Sequence, residues 1–125
     1  DTQLTFVQEI KVDGAIIVST PQDLALLDVK RGIQMFEKTG IKIIGLIDNM
    51  SFFKSEDGKE HRIFGEGGVE KTAKEFGKEF LGHLPLSQDL RVSADNGEPL
   101  CYQNPNHEVS RLFGNIAEKI KIYLN

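Results

Sequence analysis

The sequence predicts an α/β fold, a mostly parallel sheet wound with helices on both faces. Three observations carry that prediction. Residues 15–18 and 41–47 are apolar runs without the alternation of a half-exposed strand, as expected for strands covered on both faces. The stretches between the strand candidates show the three-and-four apolar spacing of helices. Strand and helix also alternate along the chain, the order that builds parallel crossovers.

Each element has its own local grounds. Residues 2–10 read as the end of a helix, with Leu4, Val7 and Ile10 on one side. Asp13 and Gly14 turn the chain into the first strand, and Thr20, Pro21, Gln22 and Asp23 leave it. The helix they open has a core stripe of Leu26, Val29, Ile33 and Phe36 and closes at Gly40; Leu24, Leu27 and Met35 lie off that stripe. The second strand ends at Asp48, Asn49 and Met50. Residues 51–64 then break the rhythm. Phe52 and Phe53, Asp57-Gly58, and Ile63 and Phe64 predict a small exposed hairpin with Asp-Gly at its turn. Gly65, Glu66, Gly67 and Gly68 lead into a helix bearing Val69, Ala73 and Phe76. A third strand over 80–84 ends at Pro85, and a loop with a short helix through Leu90 and Val92 stops near Gly97 and Pro99. The last helix follows Pro105 with Asn106 as N-cap, and Val109, Leu112, Phe113, Ile116, Ile120, Tyr123 and Leu124 form its stripe. Three strands are few for such a sheet and would leave an apolar edge uncovered, so further strands are expected on the N-terminal side.

Composition narrows the function. The chain has 125 residues, 39% apolar and 27% charged, ordinary values for a soluble globular domain. A formal net charge of -4 argues against a general nucleic-acid binder. No apolar window is long enough to span a bilayer, and the mixed charges of the last helix do not suit a membrane anchor. The start at Asp1 lacks a signal-peptide pattern, and the one cysteine, Cys101, fits a reducing compartment, so a cytoplasmic protein is expected.

Several residues invite a chemical reading. Residues 65–72 nearly match the phosphate-loop pattern, but Glu70 stands where the second glycine belongs. A carboxylate there would repel phosphate, and the preceding residues are not a buried strand, so the segment reads as a glycine turn entering a surface helix. Asn49 lies at the carboxyl end of a parallel strand, where open α/β sheets place ligands. Its amide can meet a purine edge or merely cap the turn, and position alone leaves both open. The Pro85 loop reaches the same end of the sheet. His61, His83 and His107 lack metal-ligand spacing and read as surface or strand histidines. Cys101 has no neighbour that would activate it.

Taken together, the ordered segments resemble the C-terminal part of the Mrp/ApbC proteins, iron–sulfur relatives of the partitioning and division-site ATPases. Residues 13–28 (DGAIIVSTPQDLALLD) carry the resemblance best, followed by 48–53 (DNMSFF), 63–68 (IFGEGG), 84–86 (LPL) and 97–100 (GEPL). The resemblance covers essentially the whole chain. It implies that residues 1–125 are the C-terminal part of one P-loop NTPase domain, with a hairpin insertion at about 51–64. The phosphate-binding loop would lie upstream, with Asp1 as the last residue of a γ-phosphate-sensing segment. It further implies ATP and Mg2+ as ligands of the complete protein, adenine contacts from Asn49 and from the loop of Pro85 and Leu86, and no catalytic residue in this chain, which alone should be inactive. An ATP-dependent homodimer serving iron–sulfur clients or scaffolds is implied, without nucleic acid or membrane. Relatives that carry a [4Fe-4S] cluster often have Cys-x-x-Cys in the hairpin, whereas this hairpin has no cysteine. The alternative is a partitioning or division-site ATPase acting on DNA or membrane, which would favour a more basic surface.

Overall fold

The computed structural model of the chain describes residues 9–21, 23–63, 65 and 67–125. In order these form β1 (Ala15–Ser19), α1 (Asp23–Thr39), β2 (Ile43–Asp48), β3 (Phe53–Lys54), β4 (Glu60–His61), α2 (Gly68–Glu75), β5 (Phe80–His83), α3 (Gln88–Asp95), α4 (Leu100–Gln103) and α5 (Glu108–Leu124). The expectations for Asp1, for the helix over 2–10 up to residue 8, for Gln22, Phe64 and Glu66, and for the Leu24 and Leu26 side chains fall outside the described residues.

β1, β2 and β5 make a parallel sheet in the order β1-β2-β5. All six residues of β2 are buried, the state its unalternating apolar run requires. On one face Ile17, Ile43, Leu46 and Phe80 meet Val29, Ile33 and Phe36 of α1 and Val69 and Ala73 of α2. On the other, Ile16, Ile47 and Leu81 meet Leu112, Phe113, Ile116 and Ile120 of α5. Helices thus cover both faces, as the sequence predicts. β1 is an edge strand, and Val18 near its end is 57% exposed. Among the described residues no strand pairs with its outer side.

Gly45 shows how tightly the strands pack. A Cβ at this position would stand 2.6 Å from Leu81 Cγ and 2.8 Å from the Glu79 carbonyl oxygen. That carbonyl accepts the Leu46 N–H at 2.9 Å, so the obstacle is ladder backbone and cannot swing aside.

Four expectations need correction. The hairpin is shorter than the 51–64 span: only Phe53 and Lys54 pair with His61 and Glu60, Ile63 lies beyond the pairing, and Phe52 is buried. Its Asp57-Gly58 turn forms as expected, with Gly58 at φ 84° and its N–H donating to Ser55. Two helices, α3 and α4, replace the single short one, because Ser87 caps α3 through the Leu90 N–H and Gly97 ends it in a left-handed turn. The cap of α5 is His107, not Asn106: the His107 Nδ1 accepts the Val109 N–H at 3.1 Å while its Nε2 is held at 2.9 Å by Asp89. Finally, Tyr123 and Leu124 at the end of α5 are exposed and lie outside the buried stripe.

Two glycine substitutions separate these packing effects. Gly45→Ala should destabilise the chain by about 1–3 kcal/mol through overpacking. Gly114→Ala, on an open face of α5 where an added Cβ meets nothing within 4 Å, should stabilise it by about 0.5–1 kcal/mol. Urea midpoints at constant slope report both, and a neutral Gly45→Ala would contradict the close approach.

Candidate functional site

The carboxyl ends of the strands carry the site. β2 and β5 stop at Asp48 and His83, but their backbones continue to pair. Leu84 N–H donates to Asp48, Ser51 N–H to Leu84 and Leu86 N–H to Phe52, at 2.8, 2.9 and 2.7 Å. On the other side Asn49 N–H donates to the Ser19 carbonyl of β1 at 2.6 Å. Between these clamps Met50 takes a φ of 54°, a left-handed conformation that is uncommon outside glycine. Neighbouring bonds on both sides over-determine it, which is how such strain persists.

Below the turn lies a polar network. Asp48 is 1% exposed. Its Oδ2 stands 3.2 Å from His83 Nδ1, and its Oδ1 is buried without a partner among the described residues. The Ser51 hydroxyl lies 2.8 Å from the same Nδ1 and accepts from Arg62 Nη1 at 2.9 Å. The Arg62 guanidinium also covers the Phe52 ring, 5.3 Å from its centroid. His83 Nε2 points towards Glu70 of α2, at 3.8 Å. Burial pushes the Asp48 carboxyl above its ordinary value, while the Ser51 hydroxyl, His83 and Arg62 pull it the other way.

Serine, histidine and aspartate side by side invite comparison with a nucleophilic triad, and the geometry rejects it. A triad uses both ring nitrogens, one for the acid and one for the nucleophile. Here Asp48 and Ser51 share Nδ1, and the Ser51 hydroxyl is buried and occupied by Arg62. The network fixes the turn.

Asn49 looks away from this network into an open cleft of about 370 Å³ lined by Ile17, Val18, Ser19, Thr20, Asp28 and Val29. The bond from Asn49 to Ser19 is made by its backbone N–H and not by its carboxamide. Pro85 and Leu86 open onto a different hollow, about 480 Å³, between the hairpin and the starts of α3 and α5. The ladder brings Asn49 and Pro85 to the same end of the sheet, where Asn49 lines the first hollow and Pro85 the second.

A family model described as "ParA: NUBPL iron-transfer P-loop NTPase" matches residues 1–121. The chain belongs to this family. Among curated relatives, the iron-sulfur cluster carrier protein of Pseudomonas fragi is 43% identical over 118 residues, which are 94% of this chain and 41% of that protein. The iron-sulfur cluster transfer protein NUBPL of Dictyostelium discoideum is 40% identical over 121 residues, 96% of this chain and 38% of that protein. The chain therefore spans about two fifths of the length of these relatives. Among solved structures, a nucleotide-binding protein of Archaeoglobus fulgidus in complex with ADP superposes with a TM-score of 0.70 at 36% identity, over 79% of this chain and 41% of that one. The cell division ATPase MinD of Pyrococcus furiosus superposes at 0.67 over 89% of this chain and 43% of that one, with 19% identity, a likeness of fold alone.

The other candidates of this ParA/NUBPL chain sort cleanly. The near phosphate-loop motif is a helix start: Gly65 and Gly67 take φ values of 98° and 72°, and the buried Thr72 hydroxyl donates to the Gly68 carbonyl of its own helix. Cys101 is exposed on α4. His61 is exposed in β4 and His83 ends β5, as expected of surface or strand histidines, while His107 caps α5. No spacing in the sequence announces the Asp48–Ser51–Arg62–His83 network, because its members come from four separate segments. Among the described residues no three His, Cys, Asp or Glu side chains form a metal site, and no helix is long and apolar enough to cross a membrane.

The raised Asp48 carboxyl gives a pH test. A carboxyl whose folded value exceeds its ordinary 3.8 binds more protons folded than unfolded, so it stabilises at acid pH and that contribution fades as pH rises through the folded value. Asp48→Asn should therefore gain stability relative to the unmodified chain between about pH 4 and about pH 5.5, below the ordinary range of imidazole. Chemical unfolding of both proteins across that window reads the difference; an opposite slope would mean that the hydrogen bonds outweigh burial.

Proposed function

We propose that this chain is the adenine-binding, C-terminal part of an ATP-dependent iron–sulfur cluster carrier. The cleft beside Asn49 carries the reading. It lies at the carboxyl end of a parallel sheet, where ligands of open α/β folds bind, and it holds a side-chain amide able to donate to and accept from a base edge. The relatives, an iron-sulfur cluster carrier protein and a nucleotide-binding protein in complex with ADP, support the same assignment.

In this reading the phosphates and Mg2+ are held upstream by the P-loop, and this chain supplies the base end of the site. Asn49 would address the base from the β2 tip. Pro85, buried, and Leu86, exposed, would form a loop closing over it from the β5 tip. The open outer side of β1, with Val18 and Leu27 both 57% exposed, is the surface on which the upstream part of the same domain would pack. Met35 lines a separate hollow of about 690 Å³ towards the end of α1. Alone, the chain would turn over no ATP, because phosphoryl transfer depends on charges set around the γ-phosphate.

The cluster is cargo in this scheme. A common iron–sulfur cluster takes about four thiolate ligands, and this chain offers one thiol, Cys101, on α4 and away from the hairpin. Most cluster ligands would come from elsewhere in the complete protein or from its clients. Two subunits closing around nucleotide would bring two such hairpins into one assembly.

In the complete protein, Asn49→Ala should weaken ATP binding about tenfold, the value of one to two hydrogen bonds, and narrow the preference for ATP over GTP. Calorimetric titration with both nucleotides measures this. Unchanged affinity and selectivity would remove Asn49 from the base site and with it the main support for this function.

A further inference from the structure

Among the described residues, a part-buried side-chain hydrogen bond joins the hairpin to the Asn49 turn. We propose that Arg62 is a positioning residue that couples the hairpin to the turn, acting through the Ser51 hydroxyl. The inference rests on the nucleotide reading of Asn49 for its purpose, but not for its geometry.

Three observations carry it. First, the hairpin cannot hold itself: each of its strands has two residues, and a two-stranded hairpin is marginal in water even when longer. Its position must come from anchors on the domain. Two side-chain anchors are present among the described residues. Lys54 to Glu108 at 2.9 Å is exposed at both ends, a class of ion pair that contributes little. Arg62 to Ser51, also 2.9 Å, ends on a hydroxyl that is itself buried. The guanidinium itself lies over the Phe52 ring, and Glu60 at 3.5 Å steadies it from the hairpin side.

Second, Ser51 is no passive acceptor. It is two residues from Asn49, in a turn that contains the left-handed Met50. Its backbone N–H is fixed by Leu84 and its hydroxyl by His83. A hydroxyl has a single proton. With Arg62 donating to the oxygen, that proton is free for His83 Nδ1 or for the Asp48 carboxylate beside it. Withdrawing Arg62 removes a donor from the oxygen, so the serine, the histidine and the buried Asp48 must share their protons anew.

Third, the link is short. Arg62 directly follows β4 and Asn49 directly follows β2, so a displacement of the hairpin reaches the turn through one hydrogen bond and two peptide units. Coupling between two sites is reciprocal. A partner that seats the hairpin would therefore favour the turn that faces the base, and a ligand on Asn49 would order the hairpin. Such a link gives an ATP-dependent carrier a direct path from nucleotide to cargo surface.

The test uses the complete protein, with amide hydrogen exchange and the resonances of the Asn49 side-chain amide as its readouts. Arg62→Met keeps an unbranched apolar side chain and removes both the donors and the charge over the Phe52 ring. It should shift the Asn49 side-chain signals and speed exchange at the hairpin amides of Ser55 and Gly58 about tenfold, the value of a charge-assisted hydrogen bond. Arg62→Lys should recover part of both effects and keeps the question answerable if the methionine variant folds poorly. Lys54→Met, which cuts the exposed anchor, should loosen the hairpin less and leave Asn49 unmoved. In a Ser51→Ala background, Arg62→Met should add nothing further. The proposal is overturned if Arg62→Met disturbs Asn49 no more than Lys54→Met does, or if its full effect persists without the Ser51 hydroxyl. Added ADP should slow hairpin exchange in the unmodified chain and not in Arg62→Met; equal slowing in both also overturns it. An Asn49 signal that ignores ADP but still responds to Arg62→Met would refute the nucleotide reading and support the coupling.

Discussion

The strand tips depend on one constraint: β2 and β5 go on pairing after both have left the sheet. Parallel neighbours normally part at their carboxyl ends, because each must enter its own crossover. Here the Asp48, Leu84 and Phe52 carbonyls and the Leu84, Ser51 and Leu86 N–H groups extend the ladder around the turn. A turn held on one side by β5 and on the other by Ser19 has little freedom left. Met50 is forced left-handed and Ser51 is driven inward. Asn49 is left facing the cleft above β1. Site geometry is here a consequence of sheet geometry.

What the sequence revealed follows the same logic. β2 was legible because burial on both faces leaves an apolar run that no half-exposed strand would carry. α1 was legible from Val29, Ile33 and Phe36, and the hairpin turn from Asp57-Gly58. These are local signals, fixed by a residue's own backbone or by neighbours three or four positions away. The cap of α5 was misassigned because Asn106 has the better intrinsic preference, whereas His107 has Asp89 to orient its ring. That contact bridges 18 residues and leaves no mark on local pattern.

The polar network was illegible for the same reason. Asp48 reads as a strand-end residue, Ser51 as a loop residue and Arg62 as hairpin surface, each a sound reading of its neighbours. Only the fold brings them to His83, which lies 35 residues beyond Asp48. The chemistry of the trio was then open to misreading in the other direction, as a nucleophile with its base. The shared Nδ1 settles that question, since one ring nitrogen cannot both be oriented by an acid and accept a proton from a nucleophile.

A buried carboxylate with one oxygen unpartnered costs stability, and a chain selected for stability alone would be better served by an apolar residue at position 48. Three groups offset part of that cost without removing it: the Ser51 hydroxyl, the His83 ring and the Arg62 charge. All three lie on the path between hairpin and turn. Removing the carboxylate would leave His83 Nδ1 with Ser51 alone. The cost of burying Asp48 thus falls where the geometry of Asn49 is set, and a strained turn with a costly polar support is the arrangement expected of a binding residue rather than of ordinary core.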